Sequence, residues 1–161
     1  MTNNVLVAGI GNLFLSDDGF GPEVVRRMAG RAPEGVQVVD YGIRGMHLAY
    51  DLLEGYDALV LVDAMPVGDA PGDLTVLSVG PDDLGHGEFD AHGMSPVAVL
   101  GSLGQLGGTL PRTYVVGCRP ASTEEGIGLS EPVAAAVPRA VETVTQLLSD
   151  LLVGAGDRKG A

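Results

Sequence analysis

The chain predicts an α/β protein: a three-layer αβα sandwich around a five-stranded, mostly parallel twisted sheet with one antiparallel edge strand. Three observations carry this. Short apolar runs alternate with segments of helical spacing up to Asp63, and right-handed crossovers turn that order into a parallel sheet. The run Leu74-Thr-Val-Leu-Ser-Val79 follows Asp63 after only the turn-rich link Met-Pro-Val-Gly-Asp-Ala-Pro-Gly-Asp. Parallel neighbours need roughly a dozen connecting residues, so this strand is antiparallel and lies at an edge. Finally, Val133, Val137, Val141, Val144, Leu148 and Leu151 form one apolar stripe, the mark of a helix laid on a core.

The elements follow in order. Val5 to Gly9 is a short apolar run bounded by polar and glycine residues, as in a strand buried on both faces. From Gly21 the spacing of Val24, Val25 and Met28 becomes helical, with Pro22 suited to a first turn. Val36–Asp40 is the second strand, Met46–Leu53 the second helix, and Ala58–Asp63 the third strand. Gly80 to Gly93 reads as an exposed acidic loop. Ser95 and Pro96 open a helix to about Leu106, Arg112–Gly117 is the last strand, and Ser130 caps the long final helix. Residues 1–153 make one domain, and the glycine-rich stretch 154–161 reads as a disordered tail.

Composition narrows the partners. A length of 161 residues with 45% hydrophobic side chains suits one well-buried core. The net charge of −12, with nine scattered basic residues, lacks the footprint that nucleic acid or an anionic membrane requires. No apolar run approaches a membrane span. The lone Cys118 leaves no internal disulfide, and Met-Thr-Asn-Asn at the start lacks the basic flank of a signal peptide. These features predict a soluble cytoplasmic protein, and self-repulsion favours a monomer.

The chemistry gathers in the segment Gly9-Ile-Gly-Asn-Leu-Phe-Leu-Ser-Asp-Asp-Gly-Phe-Gly21. It places Asp17 and Asp18 where ligands bind in open α/β sheets, outside the carboxyl ends of the strands. Asp18, Asp63 and His92 each follow a predicted element on the same rim. Two carboxylates and an imidazole make a candidate divalent-metal site with positions open for substrate; the bland alternative is helix capping. Asp17 is expected to support the turn or cap the helix. The glycines also suggest a dinucleotide loop, but two aspartates would repel a phosphate. A phosphoacceptor receiver domain would share the acids, yet needs a lysine after the last strand, and the only lysine is Lys159. His47 reads as a helix-surface or partly buried residue, His86 as solvated, and Cys118 as a buried thiol.

Together, Gly9-Ile-Gly-Asn-x-x-x-Ser-Asp-Asp-Gly-x-Gly21, Asp40-x-Gly-x-x-Gly45, Leu61-Val-Asp-Ala64, the His92 loop and Gly117-x-x-Pro120 followed by Leu129-Ser resemble the [NiFe]-hydrogenase maturation protease family. The likeness spans Val5 to about Leu148. It implies an endopeptidase that removes a C-terminal extension from the nickel-loaded hydrogenase large-subunit precursor. It also implies that Asp18, Asp63 and His92 contact metal, with Asp18 and Asp63 as the catalytic acids. The nickel would come with the bound substrate, though another divalent ion could occupy the site. Asp18 replaces a more usual glutamate, and Gly117-Cys-Arg-Pro120 replaces a more usual hydrophobic-acidic-proline run. Two mechanisms stay open: the metal polarises the scissile carbonyl or a water, or it is only recognised while Asp18 or Asp63 acts as base. A non-proteolytic signalling or metal-binding module is the alternative.

Overall fold

Strand β1 (Val5–Ile10) is buried at every residue, as its unbroken apolar run requires. A computed structural model describes residues 4–80, 100–101, 103–104 and 106–160. It places β1 between β2 (Val36–Gly42) and β3 (Ala58–Ala64), both parallel to it, with Val5 opposite Val36 and Ala58. Strand β5 (Arg112–Cys118) continues the parallel set beside β3. Strand β4 (Leu74–Val79) pairs antiparallel with β5 and closes the edge, so the sheet order is β2-β1-β3-β5-β4. The short link after Asp63 therefore has the consequence expected of it.

Side chains alternate across a strand, and here the alternation feeds two cores. Val5 and Val7 of β1 face one layer, where helix α1 (Phe20–Met28) and the long helix α3 (Glu131–Gly160) bring Phe20, Val24, Val137 and Val144. Leu6 and Ala8 face the other layer, where α2 (Gly45–Leu52) brings Leu48 and Leu52, and Leu100 and Leu103 pack alongside. Burying each such side chain contributes about 1.5–3 kcal/mol, so losing either layer would leave the sheet half uncovered.

The structure moves some boundaries. Strand β2 runs two residues past Asp40 because the register with β1 shifts after Gly9 and brings Gly42 opposite Ile10. The backbone of α3 is helical as far as Gly160, so 154–160 extends the helix where composition suggested a disordered tail. Extension needs only one further hydrogen bond per residue, and no proline follows Pro138 to stop it. The expected helix start at Ser95 and Pro96 lies outside the described residues; residues 100, 101, 103 and 104 are helical. Among the described residues no helix is long and apolar enough to cross a membrane.

Topology also decides where a ligand can sit. From β1 the chain crosses outward to β2, then returns past β1 to β3. The crevice outside the carboxyl ends of β1 and β3 is the switch point at which open α/β sheets bind ligands.

Candidate active site

Asp18 reaches that crevice through a tight turn. Between β1 and α1 lies a 3-10 helix, Ser16–Gly19, which packs close to the sheet. A side chain at Gly21 would collide with the carbonyl oxygens of Val62 and Ile10, and one at Gly11 with that of Asp18. These glycines let the turn approach the sheet. The Asn12 backbone N–H donates to the Asp18 Oδ2 at 2.8 Å and fixes the carboxylate at the mouth.

Asp63 arrives from the other side of the switch point. It is the penultimate residue of β3, opposite Gly117 of β5, and only 6% exposed. Burial pushes its carboxyl well above the usual range, and the negative charge of Asp18 pushes it further. A hydrogen bond from the Ala64 N–H acts in the opposite direction without cancelling them. Asp18 and Asp63 line one cavity of about 470 Å³ together with Asn12, Gly42, Ile43 and Thr123. Two carboxyls coupled in this way can share a proton or receive a cation, and either answers the cost of placing like charges together.

The neighbouring acid does something else. Asp17 is fully buried and turned away from the cavity. Its Oδ1 accepts from the Ser130 N–H at 2.7 Å, and its Oδ2 accepts from the Ser130 hydroxyl and the Ala121 N–H, both at 2.8 Å, and from the Ser122 N–H at 3.2 Å. Burial alone would raise its pKa, but these four donors together outweigh it and hold the carboxyl below the ordinary value. Asp17 therefore ties the loop after β5 and the start of α3 to the turn that carries Asp18. Ser130 does precede α3, but its hydroxyl is spent on Asp17.

The other candidates separate cleanly. His92 and His86 lie outside the described residues. His47 is exposed on α2. Cys118 is fully buried, and burial pushes its thiol up to about 11, which leaves it a poor nucleophile. Among the described residues no three His, Cys, Asp or Glu side chains form a metal-sized cluster.

The family model described as hydrogenase maturation protease matches residues 22–147. The chain belongs to the hydrogenase maturation protease family. It is 32% identical to the hydrogenase expression/formation protein HoxM of Azotobacter vinelandii, over 98% of this chain and 78% of that protein. It is 34% identical to a putative hydrogenase maturation protease of Methanocaldococcus jannaschii, over 88% of this chain and 94% of that protein. The hydrogenase-maturating endopeptidase HybD from E. coli superposes with a TM-score of 0.77 at 30% identity, covering 93% of each chain.

This maturation protease is thus a hydrolase on a five-stranded mixed sheet with one antiparallel edge. Sequence reasoning missed three contributors to its cavity. Ile43 lies inside the Asp40-x-Gly-x-x-Gly45 motif, so its spacing could have flagged it. Asn12 is a named residue of the first motif, but nothing in the motif showed that its amide would act, and Thr123 had no signal at all. Thr123 enters from a loop more than 100 residues away along the chain.

Proposed function

We propose that this maturation protease removes a C-terminal extension from a [NiFe]-hydrogenase large-subunit precursor after nickel insertion, using Asp18 and Asp63. The carrying observation is that both carboxyls line one open cavity at the switch point, with Asp63 held above its ordinary pKa. The chain's only thiol is buried away from it, and Asp18 and Asp63 are the acid–base groups among the residues that line it.

Hydrolysis needs a base for the attacking water and an acid for the leaving amine. Asp18, held at the mouth by the Asn12 N–H, takes the first role. Asp63 retains a proton to higher pH than a free aspartate and supplies the second. Nickel is carried in by the precursor as part of the substrate. Carboxylate oxygens suit a divalent first-row ion, and His92 is proposed as the third ligand. A cation beside the two carboxyls favours their ionised forms and so assists Asp63 in giving up its proton, which gives the loaded precursor an advantage over the empty one. An ion so placed would polarise the scissile carbonyl or a water.

The test is to incubate the protein with nickel-loaded and nickel-free precursor and measure intact masses. Loss of a C-terminal peptide from the loaded form alone is expected. A loaded precursor that stays whole in the presence of folded protein would overturn the proposal.

A further inference from the structure

A second cavity, of about 340 Å³, opens on the far side of the loop that leads to Asp18. Leu13 and Ser16 line it, whereas Asn12 and Leu15 of the same loop line the first cavity. Its walls include Ile127, Leu129 and Val137, and α1 contributes Arg26 and Arg27. One short loop therefore separates the acid-lined cavity from an apolar one.

That loop is held in place. The Ser16 N–H donates to the Gly126 carbonyl at 2.8 Å, the Gly126 N–H donates to the Phe14 carbonyl at 2.9 Å, and the Ser16 hydroxyl donates to the Glu124 carbonyl at 2.7 Å. Ser16 itself sits at φ +52°, a conformation unfavourable for a side-chain-bearing residue and sustained by these bonds. The pinning keeps large apolar side chains in water: Leu13 is 40% exposed, Phe14 67% and Ile127 81%. Apolar side chains gathered beside a cavity mark an interaction site more often than a neutral surface.

Charge selects the occupant. Arg26 and Arg27 both lean on the single carboxylate of Glu23, at 3.5 and 3.2 Å, which leaves one positive charge in excess. Among the residues that line the cavity the sign is thus opposite to the chain's net charge of −12, while Glu124 and Glu125 of the neighbouring loop do not line it. An acidic partner is repelled by most of the surface and attracted here, so the rim gives direction as well as affinity.

We propose that this cavity docks a segment of the precursor polypeptide in which an apolar side chain neighbours an Asp or Glu, holding the substrate while its C-terminal region lies across the Asp18–Asp63 cavity. The proposal rests on the protease reading above. The exposed Ile127 side chain enters the apolar contact, and the Arg pair meets the acid.

Ile127→Asp, the double variant Arg26→Ala with Arg27→Ala, and Glu23→Gln test it, since none of these residues lies at the acid-lined cavity. Steady-state cleavage of nickel-loaded precursor should show KM raised about tenfold by Ile127→Asp and by the double variant, with kcat unchanged. Glu23→Gln, which frees the second guanidinium, should lower KM about twofold. Binding of the precursor to Asp18→Asn protein, followed by fluorescence anisotropy, should weaken to the same extent when Ile127→Asp is added. This readout needs no cleavage, so it separates the docking claim from the protease claim. Unchanged KM and unchanged binding would overturn the docking site while leaving the protease standing. Sedimentation showing a dimer that Ile127→Asp dissolves would assign the face to a second copy of this chain, and would overturn it equally.

Discussion

Asp17 and Asp18 are adjacent and chemically identical, yet the structure gives them opposite roles, and isosteric replacement should separate them. Asp17→Asn keeps the shape of a side chain that accepts four hydrogen bonds. It turns one oxygen into a donor facing a donor and leaves the remaining bonds without their charge. A hydrogen bond to a charged group contributes about 1.5–3 kcal/mol, and neutral bonds are roughly half as strong. Ala121 is exposed and Ser122 partly so, which lets water replace part of the loss on that side. The net cost is about 3 kcal/mol, or roughly 6–12 °C in Tm for a domain of this size. Asp18→Asn forfeits the charge on one bond, from the Asn12 N–H, and removes a like charge from beside Asp63. Its stability should stay within about 1 kcal/mol of the parent. Thermal unfolding by far-ultraviolet circular dichroism at pH 7 gives both midpoints, and precursor cleavage measured below all of them gives activity. The pattern expected is an unstable, active Asp17→Asn and a stable, inactive Asp18→Asn. An Asp17→Asn protein with the parental midpoint would refute the assignment, because four hydrogen bonds cannot be weakened without cost.

Further outcomes follow from the same geometry. The folded-state pKa of Asp17 is depressed, so its stabilisation is present above the unfolded value near 4 and is lost as pH falls through the lower folded value; the stability gap between parent and Asp17→Asn should narrow in acid titration below about pH 4. Asp63 has the opposite sign. Its folded pKa is raised, so ionising it costs stability above the unfolded value, and Asp63→Asn should be more stable than the parent at pH 7 and equal to it below about pH 4, by urea unfolding at each pH. Gly21→Ala puts a methyl group into two backbone carbonyls and should cost about 3 kcal/mol or more, or prevent soluble expression. His92→Ala should abolish cleavage of loaded precursor with no shift in Tm.

Much of the fold was legible because it depends on local patterns. The apolar runs of β1 and β3 and the stripe on α3 announce burial by their own spacing, and the short link before β4 dictates its antiparallel pairing. Within the site, Asp18 and Asp63 could be found because Asp18 lies beyond one legible strand and Asp63 at the end of another, so the topology alone brings them to one rim. Asp17 could be separated from Asp18 only in outline. Its partner Ser130 lies 113 residues away, and no pattern in a single chain signals a carboxylate shared between a turn and a distant helix start. The second cavity was illegible for the same reason. Leu13, Phe14 and Ile127 look like core residues in sequence, and only the pinning of two loops against each other leaves them in water.

The central claim is that the two carboxyls of the shared cavity perform the cleavage. Its most direct test is intact-mass analysis of nickel-loaded precursor after incubation with the parent, Asp18→Asn and Asp63→Asn proteins, each shown to be folded. The account predicts release of the C-terminal peptide by the parent and by neither variant. Parental cleavage by either folded variant would contradict it.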